Sequence, residues 1–149
     1  MGFPPPSKEP GARPVTNIRN LSSRYWWGWL KPEWCCLVPA TSFCEWTDAR
    51  PKRKVWFATG PELPVFAFAG IWRPWTGARG TKANPVEGEH MLFSFLTTEA
   101  SDVVRPVHAK AMPVVLAGEA EWKAWLTCST EDAFAMQRPA HVEIVASAG

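Results

Sequence analysis

Val65-Phe66-Ala67-Phe68-Ala69-Gly70-Ile71-Trp72 runs eight residues without a charge. Successive residues of a strand point to opposite faces, so a run apolar throughout reads as a strand covered on both sides. Working outward, further short strands are expected over 35–38 (closed by Pro39), 43–46, 55–58, 90–98, 114–116 and 143–145. Residues 48–54 form a basic turn punctuated by Pro51, and 74–89, with Gly77, Gly80, Pro85 and Gly88, reads as a long exposed loop. Residues 2–6 and 15–20 suit extended segments, 7–13 a polar loop, and 22–30 an aromatic-rich stretch ended by Pro32. Helical character is expected over 99–104 and 131–138. It is also expected over 119–126, where Trp122, Trp125 and Leu126 share a face. Many short strands and few helices predict an α+β fold: a single domain over 1–149 around a curled, mixed, mostly antiparallel sheet.

A chain of 149 residues, 46% of them hydrophobic, is long enough to bury a core. Its formal net charge of +2 hides an asymmetry. Residues 1–82 hold twelve Lys or Arg against five Asp or Glu; residues 83–149 hold four against nine. A basic half attracts a polyanion. Ten Trp fill the core for the most part, and one or two in a groove are enough to stack on unpaired bases. Cys35, Cys36, Cys44 and Cys128 form no C-x-x-C pair, so no structural metal and no cofactor are expected. Neighbours Cys35 and Cys36 point opposite ways on a strand. No segment reads as a signal peptide or a membrane span, which predicts a reduced, cytoplasmic setting.

Three places put polar chemistry beside apolar sequence. Glu45 lies in Phe43-Cys-Glu-Trp46, where poor solvation would raise its pKa toward that of a neutral-pH acid or base. His108 lies between two apolar segments in Pro106-Val-His-Ala-Lys-Ala-Met-Pro113 and can move protons. Asn17 and Arg19, alternate residues of an extended stretch, share a face; an amide can orient a reacting group and an Arg can grip a phosphate. Each also has an ordinary reading: an outward strand Glu, a surface or capping His, a polar turn.

Together the segments resemble the SOS response-associated peptidase (SRAP) family. The matching stretches are Gly-Phe-Pro-Pro-Pro-Ser (2–7), Thr-Asn-Ile-Arg-Asn (16–20), Cys-Leu-Val-Pro-Ala-Thr-Ser-Phe-Cys-Glu-Trp (36–46), Phe-Ala-Gly-Ile-Trp (68–72), Phe-Leu-Thr-Thr-Glu-Ala (95–100) and His-Ala-Lys-Ala-Met-Pro-Val (108–114). They occur in family order and cover nearly the whole chain. They look most like the bacterial branch that reads Cys-Glu-Trp where others read Tyr-Glu-Trp.

The resemblance implies abasic-site sensing on single-stranded DNA. In the family, a cysteine exposed by self-removal of the initiator Met closes a thiazolidine with the ring-opened sugar aldehyde. The resemblance casts Asn17 as positioning that residue, Glu45 as proton shuttle and His108 as assisting ring opening. Arg19 would hold a phosphate, and Trp46 and Thr97 would shape the pocket. The expected partner is single-stranded DNA containing abasic sites, met by a monomer near the bacterial nucleoid. The family's Met-Cys start and the several dozen residues after it are not in this sequence, whose second residue is Gly2. An N-terminally truncated, crosslink-deficient domain is therefore expected, its missing part leaving apolar surface uncovered. The alternative is a non-catalytic single-stranded DNA-binding module, which needs the tryptophans and the basic half but not Asn17, Glu45 or His108. A hydrolase acting on other proteins fits less well, since no serine nucleophile motif or metal site appears.

Overall fold

The computed structural model describes residues 2–5, 13–81, 83–140 and 143–147. Most of the polar loop expected over 7–13 lies outside them. The elements, in order, are β1 (Asn17–Ile18), α1 (Arg24–Trp27), a 3₁₀ turn (Pro32–Trp34), β2 (Cys35–Ala40), β3 (Phe43–Trp46), β4 (Lys54–Ala58) and β5 (Phe66–Thr76). There follow β6 (Arg79–Gly80), β7 (Pro85–Val86), β8 (Glu89–Thr98), β9 (Met112–Pro113), β10 (Val115–Leu116), α2 (Glu119–Leu126), α3 (Thr130–Met136) and β11 (Val145–Ser147). The fold is α+β, a curled and mostly antiparallel sheet with short helices.

The apolar run at 65–72 is the axis of this sheet. β5 pairs antiparallel with β8 along one edge, with Gly70 opposite Phe95 and Trp72 opposite Phe93. β10 continues along that same edge at Ala67 and Phe68, and β2 pairs along the other edge from Phe66 to Ile71. β1 adds to β8 in parallel, with Asn17 beside Phe95. A second sheet, in the order β11-β4-β3, packs nearby, with β3 at its edge.

Both faces of β5 are covered, as its composition requires. Phe66 and Phe68 join a buried cluster with Phe43, Phe57, Val104 and Met112. Ala69 and Ile71, facing the other way, join Phe3, Ile18, Leu96 and Trp125. Gly70 lies where β2 presses closest: an added Cβ would come within 2.9 Å of Cys36 Sγ and Val38 Cγ2. The opening Gly-Phe-Pro segment is built into the sheet. Phe3 is fully buried, and its N–H bonds Ser94 Oγ at 3.1 Å.

The structure departs from the sequence reading in several places: β2 runs on through Pro39 to Ala40, and the last strand lies at Val145–Ser147. The loop expected over 74–89 is shorter, because β5 continues through Pro74 to Thr76 and β8 already begins at Glu89. Pro74 is tolerated because β2 pairs no further than Ile71, so β5 there has a strand on one side only. Between them β6 and β7 form a small hairpin. Residues 99–104 are not helical. Val104 and Arg105 both bond Ser101 O, and Val107 and His108 both bond Val104 O. Two successive turns bury Val104 and return the chain to the sheet. On α2, Trp125 is buried and Trp122 packs against the same core, but Leu126 is 39% exposed. Finally, only Trp26 and Trp125 are buried outright; Trp29, Trp75 and Trp122 are half-buried against the core, and Trp27 and Trp46 are exposed.

Candidate functional site

The face of the large sheet that carries Phe68 and Phe95 does not close completely. Phe68 and Phe95 stack with ring centroids 5.0 Å apart and floor a cavity of about 340 Å³. Asn17, Cys44, Glu45, Thr97 and His108 stand around it, with Met112 and Pro113. Residues 17, 45, 97 and 108 are therefore neighbours in space despite their separation in sequence.

Each is delivered by a separate element. Ile18 is buried on the far side of β1, so the alternation of the strand turns Asn17 toward the cavity. Glu45 sits on edge strand β3, between buried Phe43 and exposed Trp46, opposite Val55 of β4. Thr97 lies near the end of β8, is buried, and donates from Oγ1 to Ile18 O at 3.4 Å. His108 rides on the irregular segment that leaves the buried anchor Val104 and re-enters the sheet at Met112.

The Glu45 carboxylate and the His108 ring face each other at 3.9 Å, Oε2 to Nδ1. That is an ion-pair distance when the ring is charged, and too long for a direct hydrogen bond. A water or a small oxygen-bearing group fits between such a pair. Burial pushes the Glu45 carboxyl above its ordinary range, and the facing His108 pulls part of the way back. A half-buried acid that holds its proton more tightly than usual, beside an imidazole, puts two proton-carrying groups on either side of a bound molecule.

Glu45 and His108 also line a second, adjoining cavity of about 390 Å³, which opens onto Trp46, Asp48, Lys52 and Lys110. Trp46 is half exposed, and Lys54 Nζ lies 5.2 Å from its ring centre. The basic turn over 48–54 thus meets the site on one flank, and Lys110 meets it from the His108 segment. Arg19 is not brought into either cavity. It is exposed, two residues beyond Asn17, and its backbone oxygen is held by Gln137 Nε2 at 2.7 Å.

Gln137 escaped the sequence reading altogether. Its amide also donates to Thr97 O at 2.9 Å, tying the end of β1 to the end of β8 just behind the cavity. Nothing in its local sequence marks it, since the partners lie 118 and 40 positions away. Lys52 and Lys110 had a signal in the basic turn and in the His-Ala-Lys triplet. Cys44, a free thiol, was visible only as the neighbour of Glu45. Among the described residues, no group of three or more His, Cys, Asp or Glu is placed to hold a metal ion. Among the same residues, no helix is long and apolar enough to cross a membrane.

A family model described as SOS response associated peptidase (SRAP) matches residues 4–147. Among curated proteins, abasic site processing protein YoqW of Bacillus subtilis (strain 168) is 33% identical over 98 residues, 65% of this chain and 40% of that protein. The protein of the same name from Bacillus phage SPbeta matches equally. Abasic site processing protein YobE of Bacillus subtilis is 32% identical over 100 residues, 65% of this chain and 41% of the relative. The aligned stretch thus spans about 40% of the length of the curated relatives.

Proposed function

Since the chain belongs to the SOS response associated peptidase family, we propose that it recognises abasic sites in single-stranded DNA through the cavity of Asn17, Glu45, Thr97 and His108. The observation that carries this reading is the 3.9 Å pairing of Glu45 with His108 inside a cavity large enough for a sugar. Its support is also chemical. An abasic deoxyribose is an aldehyde masked as a ring, and opening it needs a proton delivered to the ring oxygen and one taken from the hydroxyl. His108 gives the first and Glu45 takes the second, while the Asn17 amide orients the sugar or an attacking amine. The whole of 1–149 acts here as one domain.

The flanking strand lies across Trp46. An exposed indole offers a stacking surface for a neighbouring base, and Lys52 and Lys110 offer charge for phosphates. Arg19 grips a phosphate beyond Asn17. A pure single-strand binder would use Trp46 and the lysines alike, but would have no use for the Glu45–His108 pair.

The family's covalent step, a thiazolidine, needs an α-amine and a thiol on one residue. Cys35, Cys36, Cys44 and Cys128 are all internal and none offers both.

Fluorescence anisotropy with a labelled single strand tests this. A strand carrying one abasic site is expected to bind more tightly than the same strand with the base in place, and His108→Ala and Asn17→Ala are expected to abolish the preference. Equal affinity of the wild-type chain for both strands would overturn it. Loss of the preference alone, with binding retained in the variants, would separate lesion recognition from general strand binding.

A further inference from the structure

Two buried thiols take no part in the site. Cys35 opens β2, and Cys128 lies in the link between α2 and α3, yet their sulfurs are 3.7 Å apart across 93 positions of sequence. Cys35 is 6% exposed and Cys128 3%. We propose that Cys35 and Cys128 are a peroxide-sensitive dithiol that closes to a disulfide, tying the central sheet to the helical layer.

The surroundings hold the pair in place. One turn before Cys128, the buried Trp125 donates from Nε1 to Cys36 O and to Gly70 O, both at 3.0 Å. The end of α2 is thereby fastened to β2 and β5 beside Cys35. The sulfurs, 3.7 Å apart, have to close to a bond length of about 2.05 Å. Cys36, the other candidate on β2, points to the opposite side of the strand, against Gly70.

The two sulfurs are also unlike each other. Either thiol can donate to the other across the gap, and their coupling lowers the pKa of Cys128 and raises that of Cys35. Cys128 borders a cleft of about 360 Å³ formed with Thr127, Asp132 and Met136, a volume that exceeds that of hydrogen peroxide. The Cys128 thiolate attacks one peroxide oxygen and breaks the O–O bond, leaving a sulfenic acid and hydroxide. The hydroxide takes the Cys35 proton and becomes water. The Cys35 thiolate then attacks the Cys128 sulfur, forming the S–S bond and expelling hydroxide, which solvent protonates. The two thiols lose two electrons and hydrogen peroxide gains them, yielding two waters. Neither sulfur lines the cavity of Asn17, Glu45 and His108, so the proposal is independent of the DNA reading.

The test is to treat the full chain with hydrogen peroxide, alkylate the remaining thiols, digest, and map the peptides by mass spectrometry. Two of the four free cysteines are expected to resist alkylation until dithiothreitol is added. The linked peptide should join Cys35 to Cys128 and lack the mass of two hydrogen atoms. Cys128→Ser should leave Cys35 open to alkylation after peroxide; should that variant fail to fold, the wild-type peptide map decides alone. Four alkylated cysteines after peroxide, a bond through Cys36 or Cys44, or over-oxidation of Cys128 without a bond would each overturn the proposal.

Discussion

Glu45 keeps its carboxyl where water is scarce, and the cost of doing so depends on pH. Its folded-state pKa lies above the ordinary value, so the native state holds the proton more tightly than the unfolded chain does. Stability from this group is present in full below the ordinary carboxylate range and is lost as pH rises through the raised value. Glu45→Gln removes that loss. Thermal melts of the variant and the wild type should coincide in acid, and the variant should melt higher as pH approaches neutrality. The opposite order at neutral pH would mean that attraction to His108 outweighs burial. Gln137 acts at the same scale without titrating. Gln137→Ala leaves Thr97 O and Arg19 O without their amide partner, at a cost of about 0.5–1.5 kcal/mol in urea unfolding. Glu45, His108 and Asn17 were legible as polar residues set in apolar or strand-like sequence. Gln137 was not, because what it does is defined only by two strand ends brought together by the fold.

Among the elements, β5 was the most legible and β1 the least. An uncharged run announces a doubly covered strand, and the two buried clusters lie on either side of it. What the run did not announce was its length. Pairing with β8 carries β5 past Pro74, and no local pattern contains that partner. β1 is two residues long and exists because Phe95 N–H reaches Thr16 O at 3.0 Å. The 99–104 segment carried acidic and apolar residues suited to a helix, but burial of Val104 and the need to return to β9 set two turns instead. β2 lies close against β5 at Gly70. Gly70→Ala should cost about 1–3 kcal/mol, because the new methyl meets Cys36 and Val38 and both strands must shift. Chemical unfolding checks this, and an unchanged midpoint would mean that β2 yields there freely.

Across the whole molecule, charge and cavity agree. The basic first part of the sequence supplies Lys52 and Lys54 around Trp46, whereas the acidic second part places Glu119, Glu121, Glu131 and Asp132 on or beside α2 and α3. A strand of DNA held on the basic side should bind more weakly as salt rises, with a slope that falls by about 0.7 for each phosphate contact removed by Lys52→Ala or Lys110→Ala. Equal slopes for variants and wild type would place the strand elsewhere. The central claim, that the cavity between Glu45 and His108 receives a sugar without a base, is tested most directly at His108 itself. The ring-proton resonances of His108, followed by NMR during titration with a single strand bearing a tetrahydrofuran abasic analogue, should shift. The same resonances should stay in place when the strand carries all its bases. Resonances that ignore both strands, or that move equally with both, would contradict the account.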